Sequence, residues 1–141
     1  MNREYEYSWK YFNWTIKCLI EDEKYEELAF FRLGIDLLIR QSELINLTFE
    51  QFDFPYVKDI RIMKPINGAL PKTTYQPKTI TINTYDAVNK ISKDGKARLF
   101  DKPAQYYVDS IRKSNGDMYF NGHMMRSLGL LMTVGSATNE G

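Results

Sequence analysis

Four residues at three places in this chain are of the types that hold a phosphate and stabilise charge on it. Arg40 opens the run Arg40-Gln41-Ser42-Glu43-Leu44, Lys72-Thr73 stands in a β-rich stretch, and His123-Met124-Met125-Arg126 opens an apolar helical pattern. An arginine fork matches two phosphate oxygens at once. A histidine can donate a hydrogen bond or exchange a proton near neutral pH. The spacing of three puts His123 and Arg126 on one helix face, and Glu43 is placed to fix the orientation of Arg40. Together the set is suited to stabilising negative charge on a phosphorus centre.

Each motif also has a plain structural explanation. Arg40 follows the apolar run Leu37-Leu38-Ile39 and could cap carbonyls at a helix end or pair with Glu43. A lysine just before a strand is most often a solvated edge residue. A lone His-x-x-Arg is most often a solvated helix face. Cys18, the one cysteine, sits among Ile16, Leu19 and Ile20, so a small buried hydrophobe is the reading for it rather than a nucleophile.

The elements that must position these residues follow from periodicity. Trp9, Phe12, Ile16 and Leu19 mark an amphipathic helix over about Glu4 to Glu21. Leu28, Phe31, Ile35 and Leu38 mark a second over about Tyr25 to Ile39. Ser42 is expected to cap a short helix through Leu47, and Thr48 and Asp53 favour a turn. Val57–Met63 and Lys78–Asn83 read as strands, the latter from the alternation Thr79-Ile80-Thr81-Ile82. Between them Pro65, Gly68, Pro71 and Pro77 imply a long, loosely held connection. Thr84 is expected to cap a helix through about Ile91, and a polar turn is expected around Gly95. Another helix begins at Pro103 and ends near Asn115-Gly116. The last runs from about Asn121 to Val134, with Gly135 as its stop and a frayed tail.

Composition sets outer bounds. A chain of 141 residues, 43% apolar and 26% charged, is long enough for one domain with a sizeable core. A net charge of +1 gives no blanket electrostatic case for nucleic acid, so an anion-binding role must come from local clustering. One cysteine permits no intrachain disulfide, which favours a reducing, cytoplasmic setting. No apolar run approaches the ~20 residues of a membrane helix, so no membrane partner is expected.

Taken in order, the three motifs resemble the catalytic domain of the tyrosine recombinases, the phage-integrase family. Arg40-Gln41-Ser42-Glu43-Leu44 is similar to the family's first box. Lys72-Thr73 followed by Lys78-Thr79-Ile80 is similar to its β-hairpin lysine and the strand behind it. His123–Arg126, with an apolar helix after it, is similar to the second box. The likeness covers about Glu23 to Gly135. It departs from the family at Leu38, where glycine is common, and at Ser127, where histidine is common. The third box, the nucleophilic tyrosine and the separate N-terminal DNA-clamping domain have no counterpart. Ten tyrosines are present, but the last, Tyr119, precedes His123. Tyr106, Tyr107 and Tyr119 read as half-buried aromatics with a polar tip.

The resemblance implies an α+β, mainly helical fold with a small antiparallel sheet, and residues 1–141 as a single truncated integrase-like catalytic domain. Arg40, Lys72, His123 and Arg126 would form the phosphate cradle, with Glu43 in support, no nucleophile and no metal or other cofactor. The function it implies is weak, phosphate-directed DNA binding without cleavage by this polypeptide alone. An alternative is a fragment of an active recombinase, completed by a C-terminal helix from a further segment, a second copy or another partner. A helical interaction module without a DNA role is the third reading. Phosphate contacts without a clamp domain imply a dissociation constant of ~10⁻⁴–10⁻⁶ M at physiological salt.

Overall fold

The computed structural model describes residues 3–64 and 72–139, and the side chains of residues 6–61 and 74–133. The described residues form six α-helices and one small sheet. Helix α1 spans Arg3–Glu21, α2 Tyr25–Leu37, α3 Gln41–Leu44, α4 Ile82–Asn89, α5 Ala104–Asn115 and α6 Gly122–Asn139. Strands β1 (Phe52–Asp53), β2 (Tyr56–Lys64) and β3 (Lys72–Thr79) form an antiparallel sheet in the order β1-β2-β3. The class is therefore α+β and mostly helical, with a three-stranded antiparallel sheet.

Helix α2 is the hub. Leu28, Ala29, Phe30, Phe31, Leu33, Gly34, Ile35 and Leu37 are all buried, so it presents apolar side chains around most of its circumference. It packs against α1, α4, α5 and α6. Phe30 stacks on Tyr107 of α5, with ring centroids 5.0 Å apart, and meets Phe100 edge-on at 5.5 Å. Phe31 stacks on Phe12 of α1 and touches Phe120, just before α6. Such pairs add directional preference to apolar burial. The approach of α6 to α2 is close: a β-carbon on Gly129 would lie 2.5 Å from the Ile35 carbonyl oxygen.

Several boundaries differ from the periodicity, each for a local reason. Helix α2 ends at Leu37 rather than Ile39, because Leu38 turns left-handed (φ 56°, ψ 37°). Ser42 caps nothing; it lies inside α3, whose N-cap is Arg40. At Thr48 the turn is a 3₁₀ segment, Phe49–Gln51, closed by a reciprocal Thr48–Gln51 capping box.

The expected strand Lys78–Asn83 stops at Thr79. The Thr81 amide donates to Asp36 Oδ2 (3.0 Å), while Thr81 Oγ1 accepts from Thr84 N (3.3 Å), making Thr81 rather than Thr84 the cap of α4. These local bonds outcompete a strand continuation. Pro77 lies inside β3, opposite the register shift at Lys58-Asp59 where Asp59 has φ 58°. A bulge is where a residue without an amide proton fits a ladder. Gly135 does not stop α6, which continues to Asn139; one glycine inside a helix costs only about 1 kcal/mol.

The loop with Pro65, Gly68 and Pro71 lies outside the described residues. The tyrosine reading needs correction too. Tyr107 is fully buried against Phe30 and Phe100, and Tyr119 is 79% exposed. Cys18 is buried, as its apolar neighbours imply.

Candidate anion site

The site forms where the end of α2, the start of α3, the sheet and the start of α6 meet. At the end of α2 the left-handed Leu38 redirects the chain so that Ile39 and Arg40 run extended before α3 begins. That conformation costs a residue with a β-carbon roughly 1–2 kcal/mol, which is why glycine usually fills it. Arg40 is thereby held at a corner, and its carbonyl accepts the first α3 amides, from Glu43 and Leu44, both at 3.0 Å.

The start of α6 is fixed independently. Arg112 Nε of α5 donates to the Phe120 carbonyl (2.6 Å), and Phe120 is fully buried. Asn121 Oδ1 accepts the Met124 amide (3.1 Å) and so caps the helix. Gly122 sits directly against Gln41, where a β-carbon would overlap the Gln41 side chain. That contact brings the first turn of α6 onto α3 and sets His123 and Arg126 beside Arg40.

Two adjoining cavities result. One, of about 440 Å³, is lined by Arg40, Gln41, Ser42, His123 and Arg126. The other, of about 150 Å³, is lined by Leu38, Arg40, Glu43, Arg61, Lys78 and Arg126. Arg40 and Arg126 stand on both. Of the four residues the motifs nominate, Arg40, His123 and Arg126 therefore share one concave surface, although 83 residues separate Arg40 from His123 in the chain. Lys72 begins β3, paired with Lys64, and its side chain lies outside the described residues. Glu43 lines the smaller cavity with Arg40, but no ion pair between them forms within 4.0 Å among the described residues.

The smaller cavity adds two cations outside the expected cradle, Arg61 of β2, which no motif includes, and Lys78 of β3, which the motif includes only as the start of the strand behind Lys72. Lys78 Nζ donates to the carbonyl of Leu37 (2.5 Å), the last residue of α2, where helix carbonyls lack internal partners. Its ammonium is half-buried. Burial, reinforced by the Arg126 charge and opposed by Glu43, holds its pKa below the usual lysine value.

The charge balance is lopsided. Arg40, Arg61, Lys78 and Arg126 face a single carboxylate, Glu43. The other arginines with described side chains are engaged within the protein. Arg32 lies over the Phe12 ring, Arg98 donates to Asn46, and Arg112 bonds Phe120 and Asp109. Among the described residues, Arg40, Arg61 and Arg126 form no side-chain hydrogen bond and no ion pair, and all three line this cavity. Chemically the arrangement can bind an oxyanion in several forks at once. Among the described residues no tyrosine lines either cavity. Among the described residues no group of histidine, cysteine and carboxylate side chains is placed to hold a metal. No helix among them is long and apolar enough to cross a membrane.

Compared with family models, with curated proteins and with solved structures, the chain matches none.

Proposed function

We propose that this protein binds DNA through its phosphate backbone, with a domain that resembles the tyrosine recombinases and uses Arg40, His123 and Arg126 as the cradle. The observation that carries the reading is the convergence of otherwise unengaged arginines. Arg40, Arg61 and Arg126 come from three separate elements, find no partner among the described residues, and open onto one cavity. Guanidinium groups in this arrangement suit a phosphodiester, whose oxygens accept paired hydrogen bonds. His123, on the first turn of α6, adds a group that can donate to the same anion. Glu43 limits the local positive charge.

The reading extends to chemistry. A covalent recombinase needs an attacking group held in line, about 3–3.5 Å from phosphorus, and among the described residues no tyrosine lines the cavities. These 141 residues alone therefore bind DNA without cutting it. The test is fluorescence anisotropy of a labelled duplex across a salt series. Affinity should lie in the ~10⁻⁴–10⁻⁶ M range and fall steeply with salt. Arg40→Ala and Arg126→Ala should each weaken it about tenfold or more, the loss of a charge-assisted bond. Binding that ignores both substitutions would refute the assignment. Incubation with a nicked suicide substrate should give no detergent-stable protein–DNA adduct; an adduct mapping to a tyrosine of this chain would overturn the non-cleaving reading.

A further inference from the structure

The two anion cavities adjoin a third through Arg61. The cavity with His123 shares Arg40 and Arg126 with the smaller cavity. That one in turn shares Arg61 and Glu43 with a third, of about 220 Å³, lined also by Asn46, Gln51, Asp59 and Ile60. Arg61 stands at the junction of the second and third cavities, on the sheet rather than on the helices. Its strand neighbour Ile60 is buried while Arg61 is exposed, so the strand anchors the backbone, and the guanidinium has no hydrogen bond or ion pair among the described residues. Asn46 and Gln51 are already occupied. Asn46 bonds Ser42 and Arg98, and Gln51 bonds Thr48 and Lys58. Arg61 is thus the one side chain of the third cavity that combines positive charge with unused donors.

We infer that Arg61 is a backbone-contact residue that holds a second phosphate of the same strand, next to the one at Arg40 and Arg126. The ligand class is then a continuous nucleic-acid strand, not an isolated phosphate or a mononucleotide. The inference rests on the proposed DNA reading. It adds to it that the sheet forms one wall of the site, and that binding depends on the length of the strand presented. Glu43 and Asp59 line the third cavity together with Arg61, so Arg61 is the limit of the cationic surface there.

The experiment compares the wild-type chain with Arg61→Ala, Arg61→Lys and Arg40→Ala. Each is titrated with a short single strand, a duplex and inorganic phosphate, and thermal unfolding is followed in parallel. Arg61→Ala should weaken strand and duplex binding about tenfold and lower the salt slope by about 0.7–0.9, one phosphate contact. It should weaken binding of inorganic phosphate by a smaller factor than strand binding and leave the unfolding temperature unchanged. Arg61→Lys should restore the salt slope. Wild-type affinity and slope in Arg61→Ala, alongside loss of binding in Arg40→Ala, would overturn the inference and leave the DNA reading intact. Unchanged DNA binding in Arg40→Ala would instead remove the DNA reading, and this inference with it.

Discussion

The helical interior and the groove treat polar groups in opposite ways. Inside, polar side chains along the α1–α5 seam pair with one another, whereas the buried Tyr107 hydroxyl of α5 has no hydrogen-bond partner among the described residues. Asn115 donates to Tyr11 and Thr15, Tyr11 donates to Asp117 (2.6 Å), and Ser110 donates to the buried Glu27 (2.5 Å). Burial and Asp117 together push the Tyr11 phenol well above its ordinary value. At the groove, three arginines stand without hydrogen-bond or ion-pair partners among the described residues, beside one carboxylate. Leaving a buried polar group unpaired costs about 1–3 kcal/mol, a cost that these seam pairs avoid. The groove arginines Arg40, Arg61 and Arg126 are exposed, so water carries that cost and the donors stay available. On the proposed reading, the difference separates residues that hold the fold from residues that would contact the ligand.

That separation predicts opposite outcomes for substitutions in the two regions. The largest effect belongs to the interior. Phe30→Ala empties the space between Phe100 and Tyr107 and should cost about 3–5 kcal/mol, measured by urea unfolding. Arg126→Ala should cost no more than about 0.5 kcal/mol in the same assay while weakening DNA binding.

A smaller effect should appear at the hinge between the regions. Gly129→Ala places a β-carbon 2.5 Å from the Ile35 carbonyl, so α6 must shift, at about 1–3 kcal/mol. Because α6 carries His123 and Arg126, DNA affinity should fall as well. Stability lost with affinity unchanged would show that the groove does not depend on the α2–α6 approach.

The smallest effect concerns pH. Only charged Lys78 attracts phosphate, and burial with Arg126 favours its neutral form. Its charge is therefore lost at lower pH than the ordinary lysine value of about 10.4, and DNA affinity should decline as the pH rises into that window. Lys78→Arg, which stays charged, should flatten this decline. An unchanged profile in that variant would place the titrating group elsewhere.

The helices were legible in the sequence because long apolar stripes such as Trp9–Leu19 and Leu28–Ile35 leave little choice of face. Their ends were harder. Leu38 adopts a left-handed turn that favours glycine, and Thr81 caps α4 within what reads as strand alternation. Both depend on tertiary partners, the close approach of α6 and the Asp36 carboxylate. At the site, Arg40, His123 and Arg126 could be nominated because they sit in motifs. Arg61 sits in no motif, and Lys78 enters one only as the start of a strand; an arginine and a lysine in amphipathic strands look like solvated edges. Only the pairing of β2 with β3, and the reach of Lys78 to Leu37, bring them to the groove.

The central claim is that the arginines without internal partners are the ones that take the ligand. Arginine Nε–H correlation spectra, recorded while a short duplex is titrated into the protein, test it directly. Signals of Arg40, Arg61 and Arg126 should shift together and saturate with one dissociation constant, while Arg32 and Arg112, already engaged with Phe12 and Phe120, stay in place. Shifts confined to Arg32, Arg98 or Arg112, with the groove arginines unmoved, would contradict the account.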